Sequence, residues 1–135
     1  MIEAPTPAWI EPIRSAADAM APWDLAIGMD GTPKGFRHAP AERERIAESL
    51  AAGHRIVAVS HAPARHVLPS LVARADIAIR TGHPTSAVIR DVIRDATGVE
   101  PGPTSNRLGD RLDFFDLVSA IRPRGRTSSA SCPVS

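Results

Sequence analysis

A chain of 135 residues, 43% hydrophobic and 23% charged, has the size and composition of one globular domain, which excludes a wholly disordered chain and a coiled coil. Sixteen basic against fifteen acidic residues leave a formal charge of +1, so composition gives no argument for nucleic acid or an anionic membrane as partner. The single cysteine, Cys132, excludes an intramolecular disulfide, and no apolar run approaches the ~18 residues of a membrane-spanning helix.

From the amino end, Met1 to Pro7 lacks the basic and apolar regions of a secretory signal, so a reducing cytoplasm is the expected compartment. Trp9, Ile13, Ala16, Ala17 and Met20 recur at helical spacing and predict an amphipathic helix over 8–20, closed by Pro22. Trp23 to Met29 reads as a strand ending at the turn Asp30-Gly31-Thr32-Pro33, followed by a polar loop to Pro40. Charged and apolar residues alternate in helical register over 41–52, with Ile46 and Leu50 one turn apart and Gly53 as the stop. Arg55 to Ser60 is the best strand in the chain, a β-branched run of the kind buried on both faces of a sheet.

A short helix is predicted over 68–75 and a third strand over Asp76-Ile77-Ala78-Ile79-Arg80. Beyond the turn Thr81-Gly82-His83-Pro84, Thr85 or Ser86 caps a helix with Val88, Ile89, Val92, Ile93 and Ala96 as its apolar stripe and Gly98 as its end. Arg90, Asp91, Arg94 and Asp95 lie on its outer side. Pro, Gly, Thr, Ser and Asn mark 99–111 as a linker, 112–123 holds a last apolar helix centred on Phe114, Phe115, Leu117 and Val118, and 124–135 is a disordered tail. Strands alternating with helices over 1–98 predict an α/β domain. Its expected form is a small, open, mostly parallel sheet of three or four strands flanked by helices, a Rossmann-like layer.

Ligand sites in such sheets lie beyond the carboxyl ends of the strands, which makes Asp30, Ser60, His61, Arg80 and His83 the candidate ligand-binding residues. A phosphate-cradling loop needs glycines for close backbone approach and a lysine for the terminal phosphates, in the order GxxxxGK[ST]. Lys34, the only lysine, stands between Pro33 and Gly35, so the motif is absent. Asp30 ends an apolar strand as a magnesium-binding carboxylate would, and it also suits the start of an Asp-Gly turn. His61 and His66 bracket Pro63 without an HExxH or CxxC run, so they read as solvated loop histidines, and no metal is expected. Ser60-His61 resembles half of a nucleophile and base pair, yet Ser60 is not in a GxSxG elbow and no orienting carboxylate follows at a recognisable offset. Ser60, His61 and Asp30 are accordingly the weak catalytic candidates. The arginines alternate with acids, as in Glu42, Arg43, Glu44, Arg45 and Glu48, the pattern of a solvated helix face.

The stretch from His54 to Gly98, with its Ser60-His61-Ala62-Pro63 strand end, the Leu68-Pro69 turn and the Ala75-Asp76 strand start, resembles the non-catalytic N-terminal portion of alphaproteobacterial AAA-type ATPases related to ATP-dependent zinc proteases. Trp9 to Pro12 and Asp113 to Pro123 resemble its flanking segments, so the likeness runs from about Pro5 to Pro123. Its motifs are mostly core and turn residues. The segment also resembles the sensor-strand half of an AAA module, with Ser60 and His61 in the sensor place. The resemblance implies a docking or regulatory domain that acts by protein contact, with ATP and magnesium held only by a separate ATPase core. It also implies a strand before Pro5, of which only Ile2-Glu3-Ala4 remains, and a core after Pro123 in whose place Arg124-Gly125-Arg126 stands. A shortened copy is therefore expected, with one sheet edge open to pairing with a second chain. The alternatives are a nucleotide or small-anion binding module using the loops after Asp30, Ser60 and Arg80, and a small hydrolase using Ser60 and His61.

Overall fold

The computed structural model describes residues 1–32, 40–103 and 108–121. The polar loop containing Lys34, part of the expected linker and the expected disordered tail lie outside the described residues. The chain divides into two compact units, Met1–His83 and Pro84–Ser135, so the division falls ahead of the capped helix and not after Gly98.

In the first unit, strand β1 (Ile2–Glu3) leads through a tight turn at Pro7–Trp9 into helix α1 (Ile10–Met20). Strand β2 (Leu25–Gly28), helix α2 (Pro40–Ala51) and strand β3 (Ile56–Ser60) follow. Two short helices, α3 (Pro63–His66) and α4 (Pro69–Ala73), then connect to strand β4 (Ile79–Arg80). All strand pairs are parallel and the order is β2-β3-β1-β4, a small α/β sheet.

Period-two alternation builds both faces of this sheet. Leu25, Ile27 and Met29 point with Ala58 to one face, where Ile46 of α2, Val67 and Leu71 of α4 cover them. Val57 and Val59 point to the other, against Ile10 of α1 and Ala4. The crossover from β1 to β2 runs leftward in the strand order and takes one face. Those from β2 to β3 and from β3 to β4 run rightward and share the opposite face, as a single hand of crossover requires.

Two expectations need correction, and one short helix is an addition. Ile2-Glu3 is no remnant: it is an interior strand, paired with Val59 and Ser60 on one side and with Ile79 and Arg80 on the other. Two residues carry no readable period, and Pro5 two positions further on reads as a break. The helix expected over 68–75 is α4, Pro69–Ala73, while α3, a single turn at Pro63–His66, is an addition that Pro63 at its first position permits and that Pro69, unable to continue a preceding helix, keeps separate. The strand expected over 76–80 keeps only Ile79–Arg80 as regular strand, although its ladder begins at the Ile77 carbonyl, which accepts from the Met1 amino group at 2.8 Å.

The second unit holds α5 (Ser86–Thr97), α6 (Leu108–Arg111) and α7 (Phe114–Ile121). Thr85 caps α5, its hydroxyl accepting from the Val88 N–H, and Gly98 ends it in the left-handed conformation that favours glycine. The outer side is charged as expected, with Arg94 paired to Asp91 at 3.0 Å. The apolar stripe is not: Ile89 alone is buried there, while Val88 and Val92 are exposed. A helix stands at 108–111 inside the segment expected to be linker.

Candidate functional site at the carboxyl edge of the sheet

The helix after β1 lies on one face and those after β2 and β3 on the other, so neighbouring strands part company between β3 and β1. That is the switch point at which open α/β sheets bind ligands. The Ala4 N–H donates to the Ser60 carbonyl at 2.8 Å and closes the seam below it. Beside the seam is an open depression of about 440 Å³, lined by Glu3, His61, Pro63, Arg65, Val72 and Arg80.

Asp30 sits in a turn of its own making. Its Oδ1 accepts from the Thr32 N–H at 2.9 Å and from the Thr32 hydroxyl at 2.8 Å. These two donors hold the Asp30 carboxyl below its usual range, with a smaller contribution from nearby His61. Gly31 is left-handed, and a Cβ there would overlap the imidazole of His66, which lies against its backbone. The His66 ring is 5.0 Å from that of His61. Burial pushes the His61 imidazole below its ordinary value, as does His66, while Asp30 opposes them. The Nδ1 atoms of His61 and His66 find no hydrogen-bond partner among the described residues. The structure thus gathers Asp30, His61 and His66 at the ends of β2 and β3.

Ser60 is fully buried, and its Oγ accepts from the Ala62 N–H at 3.3 Å. It turns the chain from β3 into α3, and a hydroxyl so enclosed is not presented to a substrate. Arg80 lines the same depression as His61, from the β4 side. Its Nε donates to Glu3 at 3.3 Å, and the Thr81 hydroxyl donates to the Glu3 carbonyl at 2.7 Å. β2 and β4 lie three strand spacings apart, about 14 Å at ~4.8 Å each, so Asp30 and Arg80 do not grip one small ion together. His83 follows three residues after Arg80, its Nδ1 without a hydrogen-bond partner among the described residues. Among those residues no three His, Cys, Asp or Glu side chains stand at metal-binding distance.

Glu3, Thr32 and His66 were not singled out by sequence as parts of this edge. Glu3 follows only Met1 and Ile2 at the chain start and shows no strand period. His66 depends on α3, which one proline alone announces.

The other exposed feature is the β4 margin. β4 ends the strand order, and all five residues from Asp76 to Arg80 are exposed, Ile77 at 69% and Ile79 at 51%. No helix of the described residues is long and apolar enough to cross a membrane. No protein-family model, no curated protein and no solved structure matches the chain.

Proposed function

We propose that the chain is a non-catalytic docking or regulatory module of the cytoplasm that acts by protein contact, as its resemblance to the N-terminal part of AAA-type ATPases implies. One observation carries the reading: the segment Asp76–Arg80 is exposed throughout on a terminal strand of the sheet. The Ile79 and Thr81 N–H groups pair with β1, so by strand alternation those of Ala78 and Arg80 point away from the sheet. An edge of this kind accepts a further strand through main-chain hydrogen bonds. Covering two half-exposed isoleucines adds about 1 kcal/mol each. Nucleotide and magnesium belong, in this reading, to the ATPase core.

The experiment is to mix the chain with an AAA-type ATPase core of the resembled family and follow both co-elution and ATP hydrolysis. Binding that Ile79→Glu abolishes, with a changed hydrolysis rate, is the expected result. Neither contact nor change of rate would remove the proposal.

A second reading, a small-anion site at the switch point, is favoured by the placement of His61 and Arg65 around the depression beside β3. Glu3 weakens it, since its carboxylate lines the same depression and already draws the charge of Arg80. Binding of a nucleotide at a hundredfold excess over its dissociation constant should raise stability by about 2.7 kcal/mol. An unmoved melting curve would dispose of it.

A further inference from the structure

We infer that the strand accepted by the β4 margin is the same strand of a second copy, paired antiparallel about a two-fold axis at Ala78. This deepens the docking reading and rests on it, because it names the partner of that same edge.

The segment Asp76-Ile77-Ala78-Ile79-Arg80 is self-complementary when read against its own reverse. With Ala78 opposite Ala78 of the other copy, Asp76 faces Arg80, Ile77 faces Ile79, and each pairing occurs twice, as an isologous contact requires. The backbone has the matching phase. Residues 77, 79 and 81 turn their main-chain groups to β1, through the Ile77 carbonyl and the Ile79 and Thr81 N–H groups. The groups of 78 and 80 therefore face outward, and a two-fold at Ala78 makes Ala78 and its copy a mutual hydrogen-bonded pair, with Arg80 in the same phase. A two-fold placed one residue to either side keeps this phase but sets Asp76 against Ala78 or Gly82 and forfeits the charge pairs.

Side chains agree with the backbone. Ile79 is the register partner of Ile2 and Arg80 that of Glu3, so Ile77 and Ile79 share one sheet face while Ala78 and Arg80 share the other, which Asp76, at the bend that enters the segment, joins once the pairing extends it. The dimer would bring four isoleucines together on the first face. On the second it would join Glu3, Arg80 and the other copy's Asp76 in a chain of alternating charge, twice over. Arg80 reaches for it: its side chain is 81% exposed even while it touches Glu3. A parallel, in-register pairing sets Asp76 against Asp76 and Arg80 against Arg80 and so loses this match. Five residues a side fall short of the ~1,200 Å² of a stable interface, so the dimer is a weak and reversible one.

Sedimentation of the whole chain over a wide concentration range tests this, with Asp76→Arg, the double variant Asp76→Arg/Arg80→Asp, and Ala78→Pro. Far-ultraviolet circular dichroism confirms that each is folded. Asp76→Arg leaves the Glu3–Arg80 pair in place and sets arginine against arginine twice, so dimerisation should weaken roughly tenfold. The double variant exchanges the charges and should restore it. Ala78→Pro removes an outward N–H without touching the β1 ladder and should abolish the dimer. A chain that stays monomeric, or a dimer indifferent to Asp76→Arg and Ala78→Pro, overturns the inference. The docking reading is then decided separately: an ATPase core that binds the monomer and is lost with Ala78→Pro keeps it, and a core that does not bind removes both.

Discussion

His66 lies over Gly31 so closely that the two positions are coupled, and this supplies a clean comparison between glycines. Gly31 and Gly53 share nearly the same left-handed backbone, with φ of 78° and 71°, but only Gly31 has a neighbour in the way of a Cβ. Gly53→Ala should cost about 1–2 kcal/mol from backbone strain alone. Gly31→Ala should cost more, and the excess should vanish in a His66→Ala background. Urea denaturation measures all three, and equal costs at the two glycines would contradict the packing described. At the same edge, His61 has its imidazole lowered by burial. The unfolded chain therefore binds more protons than the folded one in the window just below the ordinary histidine value of ~6.5, and stability should rise with pH through that window. His61→Gln should flatten this part of the curve; a wild-type profile falling with pH there would contradict it. Asp30, Ser60 and His61 could be picked out beforehand because each follows an apolar run that names its strand end. That Ser60 is enclosed, and that His66 turns back over Gly31, depends on how α3 folds, which no local period shows.

Among the elements, those with a full apolar period or an unbroken apolar run are legible and those without are not. β3 reads from Ile56-Val57-Ala58-Val59 alone, because a strand buried on both faces is an unbroken apolar run, and α2 from Ile46 and Leu50, because burial on one helix face selects side chains at intervals of 3.6 residues. Ile46 is fully buried against the β2 side of the sheet, so Ile46→Ala should cost about 2–5 kcal/mol of unfolding free energy, measured by chemical denaturation. A loss below 1 kcal/mol would mean that α2 does not pack there. β1 escapes sequence reading because its two residues derive their strand conformation from β3 and β4 on either side, a tertiary effect that overrides any local signal. α5 shows the converse. Its stripe and caps are legible, and Thr85→Ala should cost about 1 kcal/mol through the Val88 N–H it leaves without its cap. The exposure of Val88 and Val92 was not legible, since periodicity shows which residues share a face and not whether anything covers it.

At the scale of the molecule, the order β2-β3-β1-β4 fixes where chemistry and contact can occur. It opens a switch point between β3 and β1, and it leaves β4 at a margin with Asp76 to Arg80 exposed. From sequence, an open edge is expected where a leading strand is missing. The edge found has a different origin: the leading strand is present inside the sheet, and β4 beyond it ends the order. The docking account can be read from four backbone amides by nuclear magnetic resonance hydrogen exchange, first in dilute chain and then with a second copy or the ATPase core at saturation. Ile79 and Thr81, bonded to β1, should be protected throughout, while Ala78 and Arg80 should exchange freely when dilute and gain protection with a partner. Ala78 and Arg80 amides that exchange equally fast with and without either partner would contradict it.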